Sequence, residues 1–478
     1  MSLKNKTIIG VFWGAVEKFL GYGIQFFFNI ILARLLTPED FGVIGLLVVF
    51  TALSQVITDS GFSQALIRKE EVTQEEYSSI FFLNIFLGCL LYSLLFIGAP
   101  FIADFYNYPK LSNISRIVFL IIIVNSFGVV LNAIIVREIN FKVLAKRTIL
   151  SNLLSGIIGV FFAYKGFGVW SLVIQLVLSA FFKIILLWQF TNWRPSLYFK
   201  LSPIKEMFSF SFYIMLSKAL DVLASNLQIL LIGKFYSKKD LGYYTQAYTL
   251  ESMPATTITT VVKNVTYPSI SKIKDDINQV KNAYRKVITI SCFVVFPLMA
   301  ILMLTGDLII PLLLSNKWEP SIQYFKPLCL IGAVFPLYSI GMNLFMVTGN
   351  TKKLFKVSMT KRVITILFIV ISVSYGIYAL VWGQIVAAII NSIITMYYSG
   401  KEINYTFKEQ LKDISKIFLV SLTMFLSILL AKKYILIVND FYVLVSSSLI
   451  GLIVYVLLSK LFKIEAFVNV MSILQLKK

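Results

Sequence analysis

Residues 78–103 read S-S-I-F-F-L-N-I-F-L-G-C-L-L-Y-S-L-L-F-I-G-A-P-F-I-A, with no charged side chain in the run. A helix rises 1.5 Å per residue, so about 20 apolar residues cross the roughly 30 Å of hydrocarbon in a bilayer. This stretch is long enough, and the rest of the chain resembles it. Hydrophobic residues make up 58% of the sequence and charged residues 14%, where a soluble domain carries about 25% charge. Reading outward gives fourteen expected spans, at 9–33, 41–66, 78–103, 112–136, 146–164, 167–190, 207–233, 241–264, 284–305, 322–347, 357–375, 378–399, 414–436 and 441–461. The seventh and eighth are the least apolar. A soluble globule would leave this surface in water, and a membrane barrel would show alternating strands of about ten residues. Both are excluded.

Charge sets an expected topology. The formal net charge is +21. Placing the N-terminus inside puts most Lys and Arg in cytoplasmic segments, notably residues 137–147, 272–286 and 352–362, as the positive-inside rule requires. Both termini are then cytoplasmic, in a multi-pass membrane protein. Basic residues do not cluster with aromatics on one polar face, so nucleic acid is not an expected partner. Residues 306–320 read as a short amphipathic stretch at the interface. Cys89, Cys292 and Cys329 lack metal spacing and read as small core residues. The chain has no histidine, which removes any His ligand or proton relay.

An internal repeat organises these spans. Residues 31–42, I-L-A-R-L-L-T-P-E-D-F-G, align at an offset of 200 with residues 231–242, L-I-G-K-F-Y-S-K-K-D-L-G. Arg34 meets Lys234, Asp40 meets Asp240 and Gly42 meets Gly242; upstream, Phe12 meets Phe212, Lys18 meets Lys218 and Leu20 meets Leu220. The repeat carries span 1 onto span 7. Six spans is an even number, so the halves share one orientation, related by an axis along the membrane normal. The expected fold is an all-α polytopic membrane protein: an N-lobe (1–206), a C-lobe (207–400), and two further helices with a cytoplasmic tail (401–478). Transporters built this way expose a site between their lobes to each side in turn.

Ionisable groups inside spans are costly and are functional candidates by default. At 100° per residue, Gly14, Lys18, Gly21, Gln25 and Asn29 share one face of span 1. Ser211, Lys218, Asp221 and Ser225 share the matching face of span 7. Two such stripes, each with one lysine, would line a common cavity; the plainer readings are lysines that snorkel to the interface and an Asp221 partner for Lys218 at i,i+3. Asp59, Asp221 and Glu251 are candidates for coupling to H+ or Na+, against a plain salt bridge or packing hydrogen bond. Glu17, turned away from Lys18, reads as structural. Arg116, Lys183 and Lys263 read as snorkelling residues. In Thr37-Pro38-Glu39-Asp40, threonine suits a helix cap, proline the first position, and the acids its positive end. No phosphate-cradling ATP loop, nucleophile motif or metal cluster appears, so no cofactor and no enzymatic activity are expected.

Residues 29–42, N-I-I-L-A-R-L-L-T-P-E-D-F-G, resemble the start of bacterial polysaccharide-transport proteins, the Wzx-type flippases. D-S-G-F-S-Q-A-L-I-R (59–68) and R-E-I-N-F-K-V-L-A (137–145) resemble the same family. It belongs to the multidrug/oligosaccharidyl-lipid/polysaccharide exporter superfamily. The resemblance implies transfer of a polyprenyl-pyrophosphate-linked oligosaccharide between leaflets for O-antigen, capsule or exopolysaccharide. Membrane lipids and a polysaccharide polymerase are candidate partners. Family members are associated with a cationic central cavity, and Lys18 and Lys218 are the positions that match it. Where relatives often carry arginine, this chain has lysine, which lacks the bidentate fork. Two alternatives remain: an ion-coupled drug antiporter of the same superfamily, which a cationic cavity disfavours, and a membrane polysaccharide polymerase, which the repeat and short loops disfavour.

Overall fold

A computed structural model describes residues 3–475 except positions 60, 70, 272, 274–275 and 435–438. Every regular element among them is helical. In order these are α1 (Leu3–Leu35), α2 (Pro38–Asp59), α3 (Phe62–Arg68), α4 (Gln74–Phe105), α5 (Lys110–Val118), α6 (Leu120–Ser126), α7 (Val129–Arg137), α8 (Phe141–Tyr164), α9 (Val169–Phe190) and α10 (Leu201–Phe235). Then follow α11 (Lys238–Ser271), α12 (Ile277–Leu314), a 3₁₀ helix (Asn316–Ser321), α13 (Ile322–Val347), α14 (Thr351–Val373), α15 (Ile377–Glu402), α16 (Phe407–Tyr434), α17 (Asp440–Leu461) and α18 (Glu465–Gln475).

Eleven of the described helices are long and apolar enough to cross a membrane, or twelve if the bent pair Lys110–Ser126 and Val129–Arg137 counts as one span. The difference from the fourteen expected lies in composition. Helices α11 and α14 have the length, but α11 carries Lys238, Lys239, Asp240 and Glu251, and α14 carries Lys352, Lys353, Lys356, Lys361 and Arg362. The two halves of the bent span meet at 44°. Gly128 sits at the break, where a Cβ would collide with Ile184. Large apolar side chains such as Phe101 and Leu429 point outward, as lipid-facing positions should.

Two compact units divide the chain, Met1–Thr245 and Gln246–Lys478. In the first, α1 packs on α8, α8 on α9, and α10 on α2. Thr37 and Asp40 cap α2 as their spacing foretold. Thr37 Oγ1 donates to Asp40 Oδ2 at 2.8 Å, and the Asp40 N–H donates back to Thr37 Oγ1 at 3.3 Å. The repeat reproduces this with serine: Ser237 Oγ donates to Asp240 Oδ2 at 2.6 Å. Gly42 lies against the Lys238 carbonyl and Gly242 against the Pro38 carbonyl. The contact is reciprocal, backbone on backbone, and any Cβ at either position would collide.

In the second unit α13 packs on α12 and α15, while α16 and α17 pack on α12 and on each other. Residues 306–320 differ from the sequence reading in one respect: they are not a separate stretch. Helix α12 runs on to Leu314, and the 3₁₀ turn that follows buries Trp318 completely. Asp307 is paired there: Lys432 Nζ lies 2.8 Å from both of its oxygens and Lys326 lies 3.6 Å from it. Of the 272–286 connection, residues 272, 274 and 275 lie outside the described residues. At its far end Asp276 caps α12, and the Gln279 backbone N–H holds its carboxyl below the usual range. Cys292 and Cys329 are core residues; Cys89 is exposed.

Candidate functional site

A cavity of about 350 Å³ opens within the first unit, lined by Gln55, Val56, Asp59, Ser63, Asn125, Val129, Asn132, Arg147, Lys183, Ile184 and Lys218. Local geometry builds it. Gly61 adopts φ +72°, a left-handed conformation that favours glycine. A Cβ there would sit 2.5 Å from the Ser211 carbonyl. The turn between α2 and α3 therefore rides directly on α10. Asp59, at the end of α2, comes within 3.6 Å of Lys218 Nζ and also accepts a short hydrogen bond from Ser63. On the opposite wall the bend at Gly128 presents Asn125 and Asn132, and Asn132 Oδ1 accepts from Arg147 Nη1 at 2.5 Å.

The lining holds three cations against one carboxylate. Lys218 and Asp59 form a pair, but their side chains are 38% and 21% exposed, so solvent screens it and it is worth under about 1 kcal/mol. Arg147 Nε is buried with no hydrogen-bond partner among the described residues. Lys183 lies within electrostatic reach of Arg147 and of Glu17. Glu17 accepts from Thr148 Oγ1 at 3.0 Å, and Asn152 Nδ2 donates to the Gly21 carbonyl at 3.1 Å, so polar contacts tie α1 to α8.

The expected site residues distribute unevenly. Lys218 and Asp59 line the cavity. Lys18 is exposed, its ammonium 5.6 Å from the Tyr22 ring centroid. Gln25, Asp221 and Ser225 are exposed, and Asn29 is half-buried. Ser225 donates to the Val222 carbonyl at 3.2 Å. Glu251 belongs to the second unit and is 2% exposed. Its Oε1 occupies the space that a Cβ on Gly332 would take, beside the Met299 sulfur. Tyr248, Cys329 and Tyr338 lie within electrostatic reach of it.

Sequence reasoning missed two residues. Lys183 read as a snorkelling lysine, yet it lines the cavity from α9. Arg147 read as part of a cytoplasmic connection, yet it stands two turns inside α8. The available signal was position: Lys183 has apolar residues on both sides well within its span.

Long apolar helices, an apolar exterior and a polar interior cavity together define a multi-pass membrane protein. The chain belongs to the family described as polysaccharide biosynthesis proteins, which matches residues 31–323. It is 24% identical to the teichuronic acid biosynthesis protein TuaB of Bacillus subtilis (strain 168), over 88% of each chain. It is 24% identical to the lipopolysaccharide biosynthesis protein WzxC of Escherichia coli (strain K12), over 83% of this chain and 81% of that one. Its fold is similar to that of the lipid II flippase MurJ in an inward closed conformation, with TM-score 0.74 at 17% identity over 95% of this chain and 98% of that one. It is also similar to an inward-facing multidrug resistance MATE family transporter of the MOP superfamily, with TM-score 0.63 at 15% identity over 81% of this chain and 98% of that one.

Proposed function

We propose that this protein moves a polyprenyl-pyrophosphate-linked oligosaccharide from the cytoplasmic to the periplasmic leaflet of a bacterial inner membrane by alternating access. It would serve the assembly of a surface polysaccharide, with a polymerase as the candidate acceptor of the product. The observation that carries this reading is the cation-rich cavity inside a lipid-facing bundle of this family. A pyrophosphate cannot enter hydrocarbon unaided, and cations held at depth offer it charge-assisted hydrogen bonds. A volume of about 350 Å³ stands at the small end of ligand pockets. It suits a headgroup and excludes a whole oligosaccharide. Lys18 and Lys218 are the repeat-related cations proposed to take the pyrophosphate along its path, with Gln25, Asn29 and Ser225 as polar neighbours. Both termini would lie in the cytoplasm, a reading that the charge of the connecting segments supports.

Asp59, Asp221 and Glu251 are the proposed ion-coupling groups, and Glu251 is the strongest of them. Hard metal cations prefer several oxygen ligands. Glu251 is a single buried carboxylate beside the Met299 sulfur and Gly332, with the phenols of Tyr248 and Tyr338 within electrostatic reach; with no second carboxylate beside it among the described residues, the ion we assign to it is a proton. The test of the whole reading is leaflet sidedness. In liposomes holding the cognate lipid-linked glycan, an impermeant glycan-modifying reagent should reach all of the glycan when the protein is present and about half when it is absent. Access to only half in both cases, with folded protein, ends the flippase reading.

A further inference from the structure

At one end of the second unit α12 and α16 begin, α17 ends, and the short helix α18 packs on α12. Helix α17 is long and apolar enough to cross a membrane and closes at Leu461; α18 opens at Glu465. The 11 residues of α18 span about 16 Å, too short to cross hydrocarbon. Helix α18 is thus held at the depth where a bilayer meets water. Its side chains sort into three faces. Ala466, Phe467 and Val470 turn inward, Ala466 at 1% exposure and the other two packed on the core of the unit. Glu465 and Asn469 lie one turn apart on a polar face, and Glu465 is tied to Arg285 at 3.4 Å. Val468 and Met471 form a third face, apolar and 57% and 40% exposed. Leu461 and Phe462, just before α18, are exposed as well. On a membrane span such residues meet lipid tails. On a helix outside the spans they stay in water unless the helix lies in the interface.

Charge points the same way. The carboxylates at this end are already engaged: Glu409 by Lys281 at 3.2 Å, Asp413 by Arg285 at 2.7 Å, and Asp276 by the first N–H groups of α12. Lys286, Lys408, Lys412, Lys416, Lys460 and Lys463 are exposed, and no ion pair to any of them is found among the described residues. Membrane topology alone explains lysines on one side of a bilayer. It does not explain an amphipathic helix with an exposed apolar face set among them.

We infer that α18 and the lysines around it form a docking surface for anionic phospholipid headgroups, with Leu461, Phe462, Val468 and Met471 seated at the acyl boundary. The choice of leaflet rests on the cytoplasmic placement in the proposed function; the surface itself rests on the second unit alone. A helix lying in the interface binds through its apolar area and through attraction to anionic lipid, and each lysine near a charged leaflet adds to that attraction. Lysines act as point charges without a fixed fork, so the surface selects for negative charge over headgroup shape. Because α18 packs on α12 and its Glu465 pairs with Arg285, the anchor also ties the start of α12 to the membrane surface.

The experiment places full-length protein in nanodiscs of phosphatidylcholine alone, or of phosphatidylcholine and phosphatidylglycerol in equal parts. In the unsubstituted protein, amide hydrogen exchange across α18 should slow by at least about fivefold with phosphatidylglycerol, the scale of one lysine beside an anionic surface. High salt should remove part of that gain, and exchange in α17 should not change. This arm needs no variant to fold. Phosphatidylglycerol retained on the protein, counted by native mass spectrometry, should fall in K460Q/K463Q and in K412Q/K416Q. K165Q, in the first unit, should retain as much as the unsubstituted protein. V468S/M471S should exchange faster across α18 in both discs. Equal exchange in both discs for the unsubstituted protein, or undiminished retention in both lysine pairs, overturns the surface. Protection of α18 that appears only in discs holding two copies assigns the face to a second copy and overturns it too. A C-terminal tag reached by an impermeant protease in sealed right-side-out vesicles keeps the surface, moves it to the other leaflet, and removes the topology of the transport reading. Glycan that changes leaflet in protein whose α18 ignores phosphatidylglycerol does the reverse.

Discussion

Asp59 and Glu251 are both carboxylates on helices of a membrane protein, and their surroundings are opposite in kind. Asp59 closes α2 at a polar cavity, with a lysine 3.6 Å away and two more cations on the same lining. Glu251 is 2% exposed, lies against the Met299 sulfur and Gly332, and no salt bridge to it is found among the described residues. The first arrangement has surplus positive charge and room for a ligand. The second is a buried carboxylate with Tyr248, Cys329 and Tyr338 within electrostatic reach, seated where one missing Cβ leaves space. Burying an unpaired charge is far costlier than screening a half-exposed one. On the proposed function, the two units would separate two tasks, holding an anionic cargo and responding to an ion.

The largest expected effect breaks the first half of that contrast. Lys18→Ala combined with Lys218→Ala should bring leaflet translocation below detection while the protein remains in the membrane. Full translocation by the double variant would remove these residues from the cargo path. Next comes the second half. Glu251→Gln should lose about a hundredfold in translocation driven by an imposed pH gradient, the low end of what a positioned proton-transfer group contributes to a reaction. A sodium gradient should drive neither protein. Sodium-driven transport in the unsubstituted protein would overturn the proton assignment.

Gly332 sharpens the same contrast. A methyl group there collides with Glu251 Oε1 and the Met299 sulfur. Overpacking of this kind costs roughly 1–3 kcal/mol, so Gly332→Ala should lower thermal stability and impair pH-driven transport together. Gly98, which has nothing within 4 Å of a built Cβ, is the control, and Gly98→Ala should do neither. A smaller effect follows at Asp59. Asp59→Asn frees Lys218 from a pair that solvent screens, so pyrophosphate affinity should rise by up to about fivefold, less at high salt. An unchanged or weaker affinity would mean that Asp59 positions Lys218 for the anion.

Much of this architecture was legible because hydrocarbon imposes length and apolarity together. The run at 78–103 lies within one helix, Gln74–Phe105. The cap at Thr37 and Asp40 was readable because it is local chemistry within four residues. What sequence could not supply was helix rotation and crossing. Lys18 and Lys218 occupy matching repeat positions, yet Lys218 meets Asp59 only because Gly61 lets one turn press on α10. Arg147 and Lys183 are 36 positions apart in sequence and come together because α8 packs along α9. Neither contact leaves a periodic signature. Polarity also hid the continuity of α12 to Leu314, where a lysine distant in sequence, Lys432, pairs with Asp307.

The smallest prediction concerns the repeat itself. Thr37 and Ser237 perform the same capping act at the starts of α2 and α11, and Gly42 and Gly242 meet each other's backbones one turn later. If the two copies are energetically equivalent, Thr37→Ala and Ser237→Ala should each cost about 1 kcal/mol, the usual value of a lost N-cap. Because the caps flank a shared contact, their losses should not be independent. Sites that share a contact typically couple by 0.5–3 kcal/mol. The double variant should therefore deviate from the sum of the singles in thermal denaturation. Strict additivity would mean that each helix start is fixed by its own cap alone, and that the glycine contact only follows. A measurable coupling would make the crossing of α2 and α11 one cooperative joint, formed by two copies of one motif and closed by the two positions where neither copy tolerates a side chain.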